Sequence, residues 1–233
     1  LGKLAKAVVD GGYDLGLAFD GDADRCLAVD EKGKEIDGDQ IMAVCAEYLT
    51  AQGKLKSEGF VATVMSNLGL HKFCEENHLK LLCAAVGDRN VLELMQKESM
   101  VLGGEQSGHI IFLEHMTTGD GQLAALQFLS ILGQSGKKAS ELAGQITHYP
   151  QLLQNVKVGS NEEKTAILNS AELSMIVARE EERLTGHGRI LLRASGTEPL
   201  IRVMVEADTQ DLAESVVKTL VQAVENIQKI LNK

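Results

Sequence analysis

The 233-residue chain is 44% hydrophobic with only two prolines, the composition of a folded protein rather than a disordered one. Its 33 acidic residues outnumber 23 basic ones for a net charge of −10, which argues against nucleic acid or a membrane surface as partner. A local arginine cluster can still hold a small anion. No apolar run approaches the roughly 18 residues of a membrane span, and no signal-peptide pattern is present. Four scattered cysteines, Cys26, Cys45, Cys74 and Cys83, form no C-x-x-C pair and read as reduced thiols of a cytoplasmic protein.

Residues 3–11 have a helical period ending near Gly11-Gly12, as though the chain begins inside a helix of a larger protein. The apolar run Leu15 to Phe19 predicts a buried strand that delivers FDGDADR (residues 19–25) at its end, and Leu27-Ala28-Val29 predicts a second. After a turn at residues 31–34, a helix follows from a cap at Asp37 or Asp39, with Ile41, Val44, Cys45 and Tyr48 on one face. Then strands at 60–64, 79–86 and 101–102 alternate with helices at 68–78 and 91–97. Asp88 is the expected cap of the second of these helices. Ile110 to Phe112 leaves the polar loop GGEQSGH (103–109), and a strongly apolar helix covers 120–132. This alternation implies βαβ units and a mostly parallel sheet over about 35–148. The pattern changes near Tyr149-Pro150. Strands at 152–158, 189–193 and 201–206, two short helices, and a final helix with Leu212, Val216, Leu220, Val224, Ile227 and Leu231 on one face predict a separate α+β domain over 149–233.

Three loops carry residues suited to chemistry. In FDGDADR, Asp20, Asp22 and Asp24 alternate along a loop expected to be extended, so that their carboxylates converge on a hard cation; without one they repel. An EF-hand needs glycine where Arg25 stands and helices where strands are expected. An aspartate-nucleophile phosphatase start carries threonine or valine where Asp24 stands. A three-aspartate Mg2+ site fits better and implies phosphoryl chemistry. In RASGTEP (193–199), Arg193, Ser195, Gly196 and Thr197, together with Arg202, make an anion cradle. A plain turn explains Gly196 and Pro199 but not the bracketing arginines. In GGEQSGH, Glu105 and Ser107 suit vicinal sugar hydroxyls, and His109 suits proton transfer or contact with phosphate. Arg89, at the helix start after Gly87-Asp88, is a further candidate for facing a ligand.

In this order the loops resemble those of the α-D-phosphohexomutase family: FDGDADR its metal loop, GGEQSGH its sugar loop, RASGTEPLIRVMVE its phosphate loop. VGDR, TTGDG (117–121) and the glutamine of GEQSGH resemble the glucosamine-phosphate branch in particular. The resemblance implies a fold class of mixed α/β: a third domain over 35–148 with a mostly parallel sheet, a C-terminal α+β domain over 149–233, and at 1–34 the remnant of a second α/β domain. It implies that Asp20, Asp22 and Asp24 hold Mg2+ and that Arg25 lies beside a phosphorylated serine. It also implies that Glu105 and Ser107 bind the sugar, that His109 sits near the reacting centre, and that Arg193, Ser195, Gly196, Thr197 and Arg202 clamp the non-reacting phosphate. The family's phosphoserine passes its phosphoryl group to a sugar monophosphate through a bisphosphate; here the implied substrate is a hexosamine phosphate, feeding cell-wall amino-sugar synthesis. Ala23 departs from the usual glycine and Asn90 from tyrosine. No Ser-x-His-Asn or Ser-His-Asn motif occurs, so the chain is expected to lack its nucleophile, to need a missing N-terminal domain as partner, and to be inactive alone. An exposed sheet edge in the partial second domain would favour a homodimer. A glucose or mannose phosphate substrate, a non-catalytic sugar-phosphate-binding module, and a phosphatase using Asp20 as nucleophile are the alternatives.

Overall fold

In the computed structural model, which describes residues 1–196 and 198–231, the first apolar period forms helix α1 (Gly2–Gly11). Gly12 ends it in the left-handed region, φ 64°, where a side chain would be strained. Two units follow one another along the chain, Leu1–Thr147 and His148–Lys233.

In the first unit, β1 (Leu15–Phe19) and β2 (Cys26–Asp30) form an antiparallel hairpin with Phe19 opposite Cys26, so residues 20–25 are its turn. A short β3 (Glu35–Ile36) joins β2 and completes a three-stranded sheet in the order β1-β2-β3. Helix α2 (Gly38–Ala51) starts at a capping box in which Asp37 accepts from Gln40 N at 3.0 Å and Gln40 returns the bond. The sequence suggests one buried face for α2, yet every residue from Gly38 to Ala46 is buried. The reason is position, since α2 packs against strands on one side and three helices on the others.

The chain then builds β4 (Gly59–Thr63), α3 (Leu68–Glu76), β5 (Lys80–Ala84), α4 (Asp88–Glu98), β6 (Leu102–Gly104), β7 (Ile110–Phe112), α5 (Gly121–Ser135) and α6 (Ala139–Ala143). Their sheet has the order β5-β4-β6-β7, with β4 parallel to both neighbours and only β7 reversed, a mixed and mostly parallel sheet. Phe60, Leu70, Ile110 and Phe128 fill the core beside it. Two local readings need correction. Gly87, not Asp88, occupies the cap position of α4, because the chain arrives at φ 125°, a conformation only glycine adopts freely. Helix α6 carries too few apolar residues to show a period in the sequence.

In the second unit β8 (Gln151–Lys157), β9 (Gly188–Ala194) and β10 (Leu200–Ala207) form an antiparallel sheet in the order β8-β10-β9. Helices α7 (Asn161–Leu168) and α8 (Ala171–Arg183) precede β9, and α9 (Gln210–Leu231) lays Val216, Leu220, Val224 and Ile227 onto Ile201, Val203 and Val205. Leu231, expected on that stripe, is instead 50% exposed. A helix of this length spans about 33 Å and an eight-residue strand only about 26 Å, so the last turn has no sheet to cover. Among the described residues no helix is long and apolar enough to cross a membrane, and none of the four cysteines forms a disulfide.

Candidate functional site

The turn of the β1–β2 hairpin gathers the three aspartates. One carboxylate oxygen of each of Asp20, Asp22 and Asp24 lies within 4.8 Å of the others. The convergence does not come from the extended backbone expected of alternate side chains. Ala23 sits in the left-handed region, φ 60°, its N–H donating to Asp20 O at 3.3 Å and its carbonyl accepting from Gly121 N at 3.0 Å. That bend, clamped by the start of α5, folds the turn back on itself. Arg25 closes it: its Nε lies 3.1 Å from Asp20 and 3.5 Å from Asp24, and its backbone N–H reaches Asp20 at 3.3 Å. Asp24 Oδ1 is buried and accepts no hydrogen bond. That oxygen faces the Arg25 Nε at 3.5 Å without a hydrogen bond, and together with the two further carboxylates it makes a donor set that suits an oxygen-preferring divalent cation such as Mg2+.

His109 stands behind this turn. It pairs with Arg25 through an isolated antiparallel bridge, and Cys26 N donates to Gly108 O at 3.1 Å, which ties the GGEQSGH loop to the hairpin. The imidazole is buried. Its Nε2 accepts the Gly119 N–H at 3.0 Å, so the ring proton resides on Nδ1 and is donated to Asp24 Oδ2 at 3.1 Å. Both nitrogens are thereby engaged, and the ring orients Asp24. Gly119 is required here because a Cβ at that position would lie 2.5 Å from the ring.

GGEQSGH connects β6 to β7 as a tight turn in which Glu105 N donates to His109 O and Gly108 N to Glu105 O. Glu105 Oε1 accepts the Gly87 N–H at 2.9 Å, and Ser107 Oγ donates to Oε2 at 3.4 Å. From below, Gly38 N donates to Gln106 O at 2.9 Å and the Gln106 amide donates to Asp37 at 3.2 Å. A Cβ on Gly38 would meet Glu105 O at 2.1 Å, so α2 approaches the loop only because this residue is glycine. Ser107 lines one cavity of about 210 Å³ together with Asp20 and Arg25. Of the three aspartates only Asp20, and of GGEQSGH only Ser107, line this cavity, beside Arg25. Arg89 is not drawn into it: the exposed guanidinium is held by Glu93 of its own helix at 2.7 Å, which raises it above the ordinary arginine value.

The RASGTEP loop lies in the second unit. Ser195 is buried, its N–H donating to Leu200 O at 3.0 Å and its hydroxyl accepting from Glu198 N at 3.3 Å. Gly196 is exposed, and Thr197 lies outside the described residues. Arg193 on β9 stands opposite Arg202 on β10, so both side chains leave the same face. At the other end of that face Arg189 pairs with Glu206 in the ordinary way. At this end two like charges face each other, and the Nε of each is buried with no hydrogen-bond partner. Burial, followed by the facing Arg202, pushes the Arg193 guanidinium below its ordinary value. Two facing guanidiniums, each with a buried Nε that lacks a partner, suit a dianion such as phosphate.

Asp37, Gly38, Gly119 and Gly121 support these loops; the sequence marks Asp37 only as a helix cap and Gly38 not at all. Only Gly119 and Gly121 fall inside a stretch, TTGDG, that the resemblance marks.

Comparison with known proteins gives a consistent picture. A family model for the phosphoglucomutase/phosphomannomutase alpha/beta/alpha domain III matches residues 37–149, and one for the phosphoglucomutase/phosphomannomutase C-terminal domain matches 153–223. The phosphoglucosamine mutase of Anoxybacillus flavithermus is 54% identical over 217 residues, 93% of this chain and 48% of that protein. That of Lactococcus lactis subsp. cremoris is 52% identical over 222 residues, 95% and 49%. The chain thus spans about half the length of the curated relatives it matches. An N-acetylphosphoglucosamine mutase structure from Aspergillus fumigatus superposes with a TM-score of 0.75 at 23% identity, over 91% of this chain and 48% of that one, a likeness of fold. A second from the same organism, in complex with GlcNAc-6P and magnesium, gives 0.72 at 22%, over 91% and 48%.

Proposed function

This chain belongs to the phosphoglucomutase/phosphomannomutase family, and on that premise we propose that the whole protein is a phosphoglucosamine mutase. It would interconvert glucosamine 6-phosphate and glucosamine 1-phosphate through a phosphoserine and a bisphosphorylated sugar. The observation that carries the reading is the convergence of Asp20, Asp22 and Asp24 within 4.8 Å of one another, with Asp20 lining one cavity with Arg25 and Ser107. Its agreement with relatives at 50–54% identity supports the amino-sugar branch.

In this reading Asp20, Asp22 and Asp24 hold Mg2+, which when bound neutralises charge on the transferring phosphoryl group. Arg25 keeps the turn closed and lies beside the phosphoserine. His109 fixes the Asp24 carboxylate through Oδ2, and Oδ1, which faces Arg25, would turn to the cation. Glu105 and Ser107 accept from and donate to the sugar hydroxyls. Arg193, Ser195, Gly196, Thr197 and Arg202 grip the phosphate that does not react, so that binding at one end of the sugar positions the other. These 233 residues contain no Ser-x-His-Asn or Ser-His-Asn motif, and we propose that the phosphoserine belongs to a part of the protein outside this sequence.

The test is kinetic. The full-length protein is expected to convert glucosamine 6-phosphate with a kcat/KM above those for glucose 6-phosphate and mannose 6-phosphate, and Asp24→Asn is expected to abolish turnover. The present chain alone is expected to give none. A preference for glucose or mannose phosphate would move the assignment to another branch of the family. Turnover by the isolated chain, with no phosphoserine detectable by mass spectrometry, would remove the proposed nucleophile.

A further inference from the structure

The carbonyl groups of the phosphate loop face a buried partner. Lys164 of α7 is 7% exposed, and its Nζ donates to Ser195 O at 2.7 Å and to Glu198 O at 3.2 Å. It makes no ion pair with a described carboxylate. An amino group aimed at two carbonyls fixes two peptide planes. In a trans peptide the C=O and the following N–H point in opposite directions, so drawing Ser195 O inward turns the Gly196 N–H outward. That N–H donates to no group among the described residues, whereas the N–H groups of Ser195 and Glu198 are both engaged inside the loop. Gly196 is exposed, and a Cβ built on it would meet nothing within 4 Å.

We infer that Lys164 is the positioning residue of the phosphate loop, holding the Gly196 N–H outward for a phosphate oxygen beside the Arg193 and Arg202 guanidiniums. The inference rests on the phosphate reading of this loop. Lys164 touches no ligand itself. It acts through the peptide it holds, from the face opposite the one that binds, on a helix whose polar sequence would place the side chain in solvent.

The experiment uses the whole chain, with glucosamine 6-phosphate titrated as the probe and the loop amides followed by NMR. Arg202→Gln is expected to weaken binding about tenfold or more, the loss of a charge-assisted hydrogen bond. Unchanged binding there overturns the phosphate reading and this inference with it. Lys164→Met keeps the apolar stem and removes the donor. It is expected to weaken binding about fivefold and to shift the Gly196 amide resonance before any probe is added, with Lys164→Arg recovering most of the affinity. Full affinity in Lys164→Met, with Arg202→Gln still impaired, overturns the role of Lys164 alone. Should Lys164→Met fail to fold, hydrogen exchange on the unmodified chain decides. The Gly196 amide is expected to exchange freely without the probe and to be protected by it, while the Ser195 and Glu198 amides stay protected throughout. A Gly196 amide protected before the probe, or unprotected after it, overturns the inference.

Discussion

Ala23 shows how much conformational cost one position of the metal turn carries. It holds φ 60° without being glycine, a conformation that costs an alanine roughly 1–2 kcal/mol. Glycine would remove that strain but add unfolded-chain entropy worth about 0.4–1 kcal/mol. Ala23→Gly is therefore expected to stabilise the chain by about 0.5 kcal/mol, and a thermal melt should rise by ~1–2 °C for a chain of this size. A fall in Tm would mean that the alanine methyl packs usefully against its neighbours. The three aspartates were legible in the sequence because like charges crowded directly after an apolar strand repel unless a cation neutralises them. Their geometry was not. The bend at Ala23 depends on Gly121, and the orientation of Asp24 depends on His109, 85 residues away.

Helix α5 supports the metal turn with its first residue. A Cβ on Gly121 would lie 2.5 Å from Arg25 O and 2.9 Å from Ala23 O, both backbone atoms that cannot swing aside. Gly121→Ala is expected to cost about 1–3 kcal/mol of stability through overpacking. It should also lower Mn2+ affinity, measured by electron paramagnetic resonance, because the turn must shift to relieve the contact. Unaltered metal affinity in a destabilised variant would show that the turn tolerates the shift.

The buried thiols give the first unit a pH limit. Burial pushes Cys26 of β2 from 9.0 up to about 11, and Cys45 of α2 and Cys74 of α3 up to about 12. A raised acid is protonated in the fold and ionises once unfolded, so its contribution is complete below pH 9 and disappears as pH climbs through 11 to 12. Urea midpoints should hold steady to about pH 9 and then decline, and Cys45→Ala should soften the decline. A native chain should expose only Cys83 to a thiol reagent.

For the whole molecule, the apolar clusters divide with the chain. The residues packed around Leu220 and Val203 all belong to His148–Lys233, and none of the clusters of the first unit includes them. We propose that residues 148–233 fold alone. Their expression is expected to give a cooperative thermal transition, with Leu220→Ala costing about 2–5 kcal/mol; a broad, non-cooperative melt would contradict autonomy. Apart from β3 and α6, the order of strands and helices was readable in both units because apolar runs of strand and helix length alternate between turn residues. The all-round burial of α2 and the inward course of Lys164 were not, since a sequence period reports a face and not what other elements bring to the opposite one.

The facing pair Arg193 and Arg202 carries a practical consequence. Folding brings two guanidiniums together that water would otherwise keep apart, so the measured stability of this sheet depends on the anions dissolved around it. Phosphate or sulfate buffers should raise its melting temperature above that in chloride at matched ionic strength, because an ion that binds only the folded form shifts the equilibrium by mass action. A thermal scan of this protein is in part a titration of its buffer.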